Sequence, residues 1–202
     1  VTAPAQLYAL CAAAHGSFPP PRREIETGRG LAGAMLLQGA LAGRLDLHGD
    51  RVRPTGRGRR GDPALDAFLA RIEASPRDRA PSDWVERLGP AALAAPRPGL
   101  LPGSAGPPGG RAGIRPAEAL SRVRRSVAEP GRSALHAVAA GALLAAAGLH
   151  DLCWPGLSRD EASRDTLRAV AALGSAGLPV ARAATAVSRS LSGSAGAFAF
   201  PG

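Results

Sequence analysis

The run GRGLAGAMLLQGALAG, residues 28–43, is apolar on every side of a helix, with Gly33, Gly39 and Gly43 punctuating it. A helix with no polar face belongs in the middle of a bundle, where small residues let neighbouring backbones approach. The stretch therefore predicts a central helix, with the polar RREIET of residues 22–27 as its lead-in. Directly after it, Leu45, Leu47 and Val52 alternate with Asp46, His48, Arg51 and Arg53. This period of two predicts a hairpin that turns at Gly49-Asp50 and stops at Pro54. An isolated two-stranded ribbon is marginal in water, so its apolar face must lie on the helices.

Outward from this centre the pattern is helical. Leu7 to Ala14 reads as a short amphipathic helix. Asp62-Pro63 has the cap and first-turn chemistry of a helix start, and Leu65, Phe68, Leu69 and Ile72 follow at helical spacing up to Ser75-Pro76. Ser82 is expected to cap a short helix whose Trp84, Val85 and Leu88 face the core. From Pro96 to Pro116, twelve of 21 residues are Pro or Gly, a density that no periodic element survives. That segment is expected to be a loop or linker, with Leu100-Leu101 its one pair of large apolar residues. A short helix from Ala117 carries Arg122, Arg124 and Arg125 and stops at Pro130-Gly131. Three more helices are expected: one capped by Ser133 and running to Leu149, one opened by the capping-box pair Ser158 and Glu161, and one beginning at Pro179. Residues 192–202 read as a flexible tail, and 1–202 as a single domain.

The 202 residues include 25 Lys+Arg against 16 Asp+Glu, a formal charge of +9. Every one of those basic residues is Arg, and Lys and Asn are absent, which is the mark of a GC-rich genome. The total charge is thus partly compositional, but its placement is informative. Residues 22–60 hold nine Arg against four acids, and residues 97–132 hold seven against two. With 45% apolar residues and clear periodic segments, the chain is not a disordered polyelectrolyte. Cys11 and Cys153, far apart and outside any C-x-x-C, make neither a disulfide scaffold nor a zinc ribbon, and they fit a reducing compartment. No basic residue precedes the first apolar stretch, so no secretory signal is expected. The longest apolar run, Ala134–Leu149, is interrupted by His136 and falls short of a bilayer span.

Catalytic signatures are missing. Without Lys there is no phosphate-cradling G-x-x-x-x-G-K-[ST], and neither G-x-S-x-G nor H-E-x-x-H occurs. His136 reads as a core histidine. His150, Asp151 and Cys153 lie close together but have no fourth ligand at recognisable spacing. Asp62 and Asp66 share a helix face, one with a capping job, and do not read as an acid–base pair. No catalytic residue, metal or cofactor is expected, and the reading moves toward binding.

The segments GRGLAGAMLLQGALAGRLDLHGDRVRPT, GDPALDAFLARIEASPRDRAPSDWVERL and SALHAVAAGALLAAAGLHDLCWPGLSRDEASRDTLRAVAAL, in that order, resemble the Golgi phosphoprotein 3 family, in particular its bacterial, actinomycete-type members. The resemblance is carried by the central apolar helix running through Gly43-Arg44-Leu45 into the hairpin, then by Gly61-Asp62, Leu65-Asp66 and Trp84-Val85. It implies a mainly α fold: one helical-bundle domain around a central apolar helix, with a small β-hairpin. It also implies peripheral membrane binding, since the eukaryotic members recognise phosphatidylinositol 4-phosphate and act as adaptors for Golgi glycosyltransferases.

The family's lipid pocket uses a Trp ahead of the central helix, an Arg in its "GLRG" start and two Arg three apart on a later helix. An apolar hairpin then enters the bilayer. In this chain the Trp position falls near Arg23, the "GLRG" arginine is Ala32, only Arg97 is basic where the pair would fall, and the Pro/Gly stretch replaces the hairpin. The residues suggest a different anion site. Arg22, Arg23 and Arg29 flank the start of the central helix, where backbone N–H groups already favour negative charge, and Arg122 and Arg125 lie three apart on one helix face. Arg forks suit phosphate oxygens. The five arginines from Arg51 to Arg60 read equally as a solvated loop or as an anion-facing patch. The expected partner is thus an anionic phospholipid surface met from the cytoplasm, without catalysis. The alternative is a protein adaptor, or a degenerate family member, without lipid binding. Specific nucleic-acid binding is not expected, because the aromatics are too few to stack on single strands.

Overall fold

In the computed structural model, residues 3–14, 16–47, 50–58, 61–95 and 114–192 are described. Its centre is helix α2, Glu24–Leu41, preceded by α1, Pro4–Ala12. The expected polar lead-in is in fact the first turn of α2, because Glu24 and Glu26 complement the positive end of the helix dipole. At the other end Gly43, at φ +68°, turns the chain, and the Arg44 N–H closes on the Gly39 carbonyl at 2.9 Å. Leu31 through Leu37 are all buried. Close approach explains Gly30, where a Cβ would stand 1.9 Å from the Tyr8 hydroxyl of α1. It also explains Gly28, where a Cβ would lie 2.8 Å from the Gly89 carbonyl.

The hairpin is present but short. β1, Leu45–Asp46, and β2, Arg53–Pro54, pair antiparallel with Leu45 opposite Pro54 and Asp46 opposite Arg53. Leu45, Leu47 and Val52 are buried, as the alternation requires. The expected turn includes Gly49, which lies outside the described residues. Helix α3, Pro63–Glu73, starts as its sequence predicts, with the Asp62 carboxylate accepting from the Ala64 and Leu65 N–H groups at 3.1 Å each. Helix α4, Pro81–Ala94, is longer than expected and contains Pro90. Its N-cap is Ala80, so Ser82 sits inside the first turn and is not the cap.

The second half supplies α5, Pro116–Ala128; α6, Leu135–Ala146, entered through a 3-10 turn at Arg132–Ala134; the single turn α7, His150–Cys153; α8, Arg159–Ala172; and α9, Leu178–Ser192, after a 3-10 turn at Gly174–Gly177. Ser133 lies in the 3-10 turn and caps nothing; Ser158 and Glu161 do form the reciprocal capping box of α8. Helix α2 packs against α4, α9, α1 and α6, and α6 against α8, α1, α5 and α9. The fold is therefore mainly α, a bundle built around α2 and α6. Helix α1 is a correction: of its nine residues only Gln6 is exposed, so it is a core helix and not an amphipathic one. Of the loop expected over 96–116, residues 96–113 lie outside the described part, and Pro116 begins α5. Of the tail expected over 192–202, Ser192 still belongs to α9 and 193–202 lie outside. Among the described residues, no helix is long and apolar enough to cross a membrane.

Candidate anion-binding site

The start of α2 meets the C-terminal ends of α6 and α9. Arg22, at φ +62°, is exposed, and the next residue turns inward. The Arg23 guanidinium donates to both Asp151 carboxylate oxygens, at 2.9 and 3.0 Å, and to the Gly148 carbonyl at 3.1 Å. Arg159, at the first position of α8, reaches the same helix end and donates to the Ala146 carbonyl at 3.0 Å. Arg159 thus satisfies a carbonyl that the end of α6 leaves without a helical partner, and Arg23 the Gly148 carbonyl just beyond it, both near the negative end of the α6 dipole. Between them is a cleft of about 380 Å³ walled by Arg23, Glu26, Ala147, Gly148, Arg159 and Leu191. Arg23 faces a carboxylate there, whereas Arg159 faces a backbone carbonyl and keeps its net charge.

The five arginines singled out from sequence fall in two places. Arg22, Arg23 and Arg29 surround the start of α2. Arg29 points away from the cleft, with its guanidinium on the Ser190 carbonyl of α9 and 3.3 Å from the Glu86 carboxylate of α4. Arg122 and Arg125 ride on α5, which packs on α6, α1, α8 and α7 through Ala119, Leu120, Val123 and Val127. It is their neighbour Arg124 that turns in, donating to the Cys153 carbonyl. Arg159 escaped the sequence reading, although its position was legible: Ser158-x-x-Glu161 fixes the start of α8 and so places Arg159 on its first turn. What the sequence does not carry is that this turn abuts the end of α6.

The remaining chemistry-bearing residues are structural. Asp66 pairs with Arg44, whose side chain is only 5% exposed, so the Asp62/Asp66 face is used for capping and for a buried ion pair. Cys11 and Cys153 are free, buried and hydrogen-bonded to each other, and that contact together with burial pushes the Cys11 thiol well above its ordinary value. A thiol held protonated is a poor nucleophile and a poor ligand. Burial also raises the Tyr8 phenol, with the Glu26 carboxylate adding to it. His136 is half-buried in the first turn of α6 and is not deep in the core. Trp84 is the core anchor expected, 3% exposed, with Arg79 over its ring at 5.9 Å. Among the described residues no group of three or more His, Cys, Asp or Glu is placed to hold a metal ion.

Residues 4–103 match the family described as Golgi phosphoprotein 3 (GPP34). No curated protein and no solved structure matches the chain.

Proposed function

The chain belongs to the Golgi phosphoprotein 3 family through residues 4–103, and on that premise we propose that it is a non-catalytic peripheral membrane protein that binds anionic phospholipid headgroups, with a phosphoinositide monophosphate as the preferred class. The observation that carries this reading is the cleft at the start of α2, where Arg23 and Arg159 face each other across a space of about 380 Å³. Arg159 is held by a backbone carbonyl and keeps its charge, while Arg23 is fixed by the Asp151 carboxylate and the Gly148 carbonyl; both guanidinium groups are preorganised, and little side-chain freedom remains to be lost when a phosphate enters beside them. Arg22 stands exposed next to Arg23, and Glu26 is the one carboxylate among the described residues of the cleft wall. Arg29, Arg122 and Arg125 act in this reading as contributors to the field near the surface.

Co-sedimentation with vesicles tests the proposal. The chain is expected to pellet with phosphatidylcholine vesicles containing phosphatidylinositol 4-phosphate, less with phosphatidylserine vesicles of equal charge, and not with phosphatidylcholine alone. The double variant Arg23→Ala, Arg159→Ala is expected to lose the preference between the two anionic vesicles. Equal pelleting with neutral and anionic vesicles, or with neither, overturns the reading.

One observation favours the adaptor alternative. A groove of about 370 Å³ between α3 and the end of α4 is lined by Met35, Phe68 and several alanines, with the exposed Arg71 also on its wall. An apolar groove with one cation suits an amphipathic helix that carries an acid. Capture of a protein partner that survives detergent, combined with no vesicle binding, selects this reading.

A further inference from the structure

We propose that the hairpin and the α3–α4 loop together form a second membrane-contact surface, which lies on an anionic bilayer through diffuse charge attraction and selects no particular headgroup. This rests on the membrane reading above. The two segments are one unit. Val52 pairs with Arg79, its N–H donating to the Arg79 carbonyl at 3.0 Å. The Arg51 guanidinium donates to the Asp78 carbonyl at 2.7 Å, and Arg53 meets the Asp78 carboxylate at 3.1 Å. From behind, Arg182 of α9 donates to the Leu47 carbonyl at 2.7 Å, and Leu45, Leu47 and Val52 are buried. The unit is therefore seated on the bundle and its charged side faces outward.

That side carries Arg51, Arg53, Arg57 and Arg77, all exposed, and the half-buried Arg79. Asp46, Asp50 and Asp78 offset part of this charge. The guanidinium groups of Arg57 and Arg77 meet no partner among the described residues, so their charge is available to an outside anion. Neither of the two cavities described above has a wall in these segments, and among their described residues there is no aromatic ring. Exposed arginines on a seated unit respond to the charge density of whatever plane they meet. The lack of exposed rings also argues against single-stranded nucleic acid as the occupant. Helix α2 is about 27 Å long and has the Arg23 cleft at one end and the hairpin beyond the other, so the two surfaces are separate.

The test uses the full chain and the double variant Arg57→Ala, Arg77→Ala, whose fold is checked by its melting curve. With phosphatidylcholine vesicles carrying about one-third phosphatidylserine, affinity is expected to fall about fivefold for each arginine removed. The dependence on salt is expected to become shallower. The preference for phosphatidylinositol 4-phosphate over phosphatidylserine at equal charge is expected to stay as in the parent chain. If the parent chain pellets with anionic vesicles and the variant pellets equally well, this proposal fails and the membrane reading stands. If the parent chain pellets with no vesicle, the membrane reading fails first. If the variant loses affinity for duplex DNA but not for phosphatidylserine vesicles, the surface is a nucleic-acid surface and the proposal is overturned.

Discussion

At the start of α2, Arg23 lays its guanidinium on Asp151 and on the Gly148 carbonyl just past the end of α6, and Arg29 bridges to α4 and α9. Beyond the other end of α2, Arg57 and Arg77 stand exposed, while Arg44 just beneath them is buried against Asp66. Residues of one type thus divide into struts that hold helices together and charges left for a partner. What separates them is the identity of the nearest acceptor. A helix end offers unpaired carbonyls, and a carboxylate on α7, on α3 or, for Arg53, at Asp78 of the exposed loop captures an arginine within reach, as the Asp78 carbonyl does Arg51; Arg57 and Arg77 meet neither among the described residues. Local charge density is therefore a poor guide to available charge.

The sharpest way to break this comparison is at the buried pair. Replacing Asp66 with Ala leaves the Arg44 guanidinium buried without its carboxylate, and the expected loss is about 3 kcal/mol in a urea titration. A loss below about 0.5 kcal/mol would mean that Arg44 belongs with the solvated arginines. At the other end, Arg23→Ala and Asp151→Ala are each expected to cost about 1 kcal/mol, because the pair is only half-exposed and bidentate. The double variant should cost little more than either single change; strictly additive losses would show that the two side chains are not coupled.

The smallest expected effect concerns the cap that sets Arg159. The hydroxyl and the backbone N–H of Ser158 hold the Glu161 carboxyl below its ordinary value. A value lower in the folded than in the unfolded chain gives stability that is present above the unfolded value and lost as pH falls through the folded one. The melting temperature should therefore fall on acidification below the ordinary carboxylate range, and Glu161→Gln should weaken that dependence while keeping the capping geometry. An unchanged pH profile in this variant would mean that the cap does not contribute to stability at this end of the bundle.

Much of the fold was legible because it is written in short-range patterns. The all-apolar run at 28–43 announced a central helix, Asp62-Pro63 announced α3 and Ser158-x-x-Glu161 announced α8. Where the local signal was ambiguous, tertiary contact decided. Ala80, which has no capping side chain, starts α4 one residue ahead of Pro81, and the helix runs through Pro90 because Trp84, Val85, Leu88 and Ala92 are buried against the bundle. Helix α1 has too little periodicity to look central, yet α2, α6 and α5 surround it. The candidate site was legible only in part. Arg23 was found through its place before an apolar helix, whereas Arg159 is more than 130 residues away in sequence and joins it only because α6 ends there.

By itself, the sequence determined the helical class, the central helix, the hairpin, most helix starts and the segments where positive charge concentrates. All of these follow from periodicity, caps and composition within a few residues. Only the tertiary structure decided which arginines are consumed by helix ends and carboxylates and which remain free. It also decided that the hairpin and the α3–α4 loop form one surface. Both outcomes depend on acceptors brought from distant parts of the chain by packing, and no local pattern encodes the distance between a guanidinium and the carbonyl that will neutralise or anchor it.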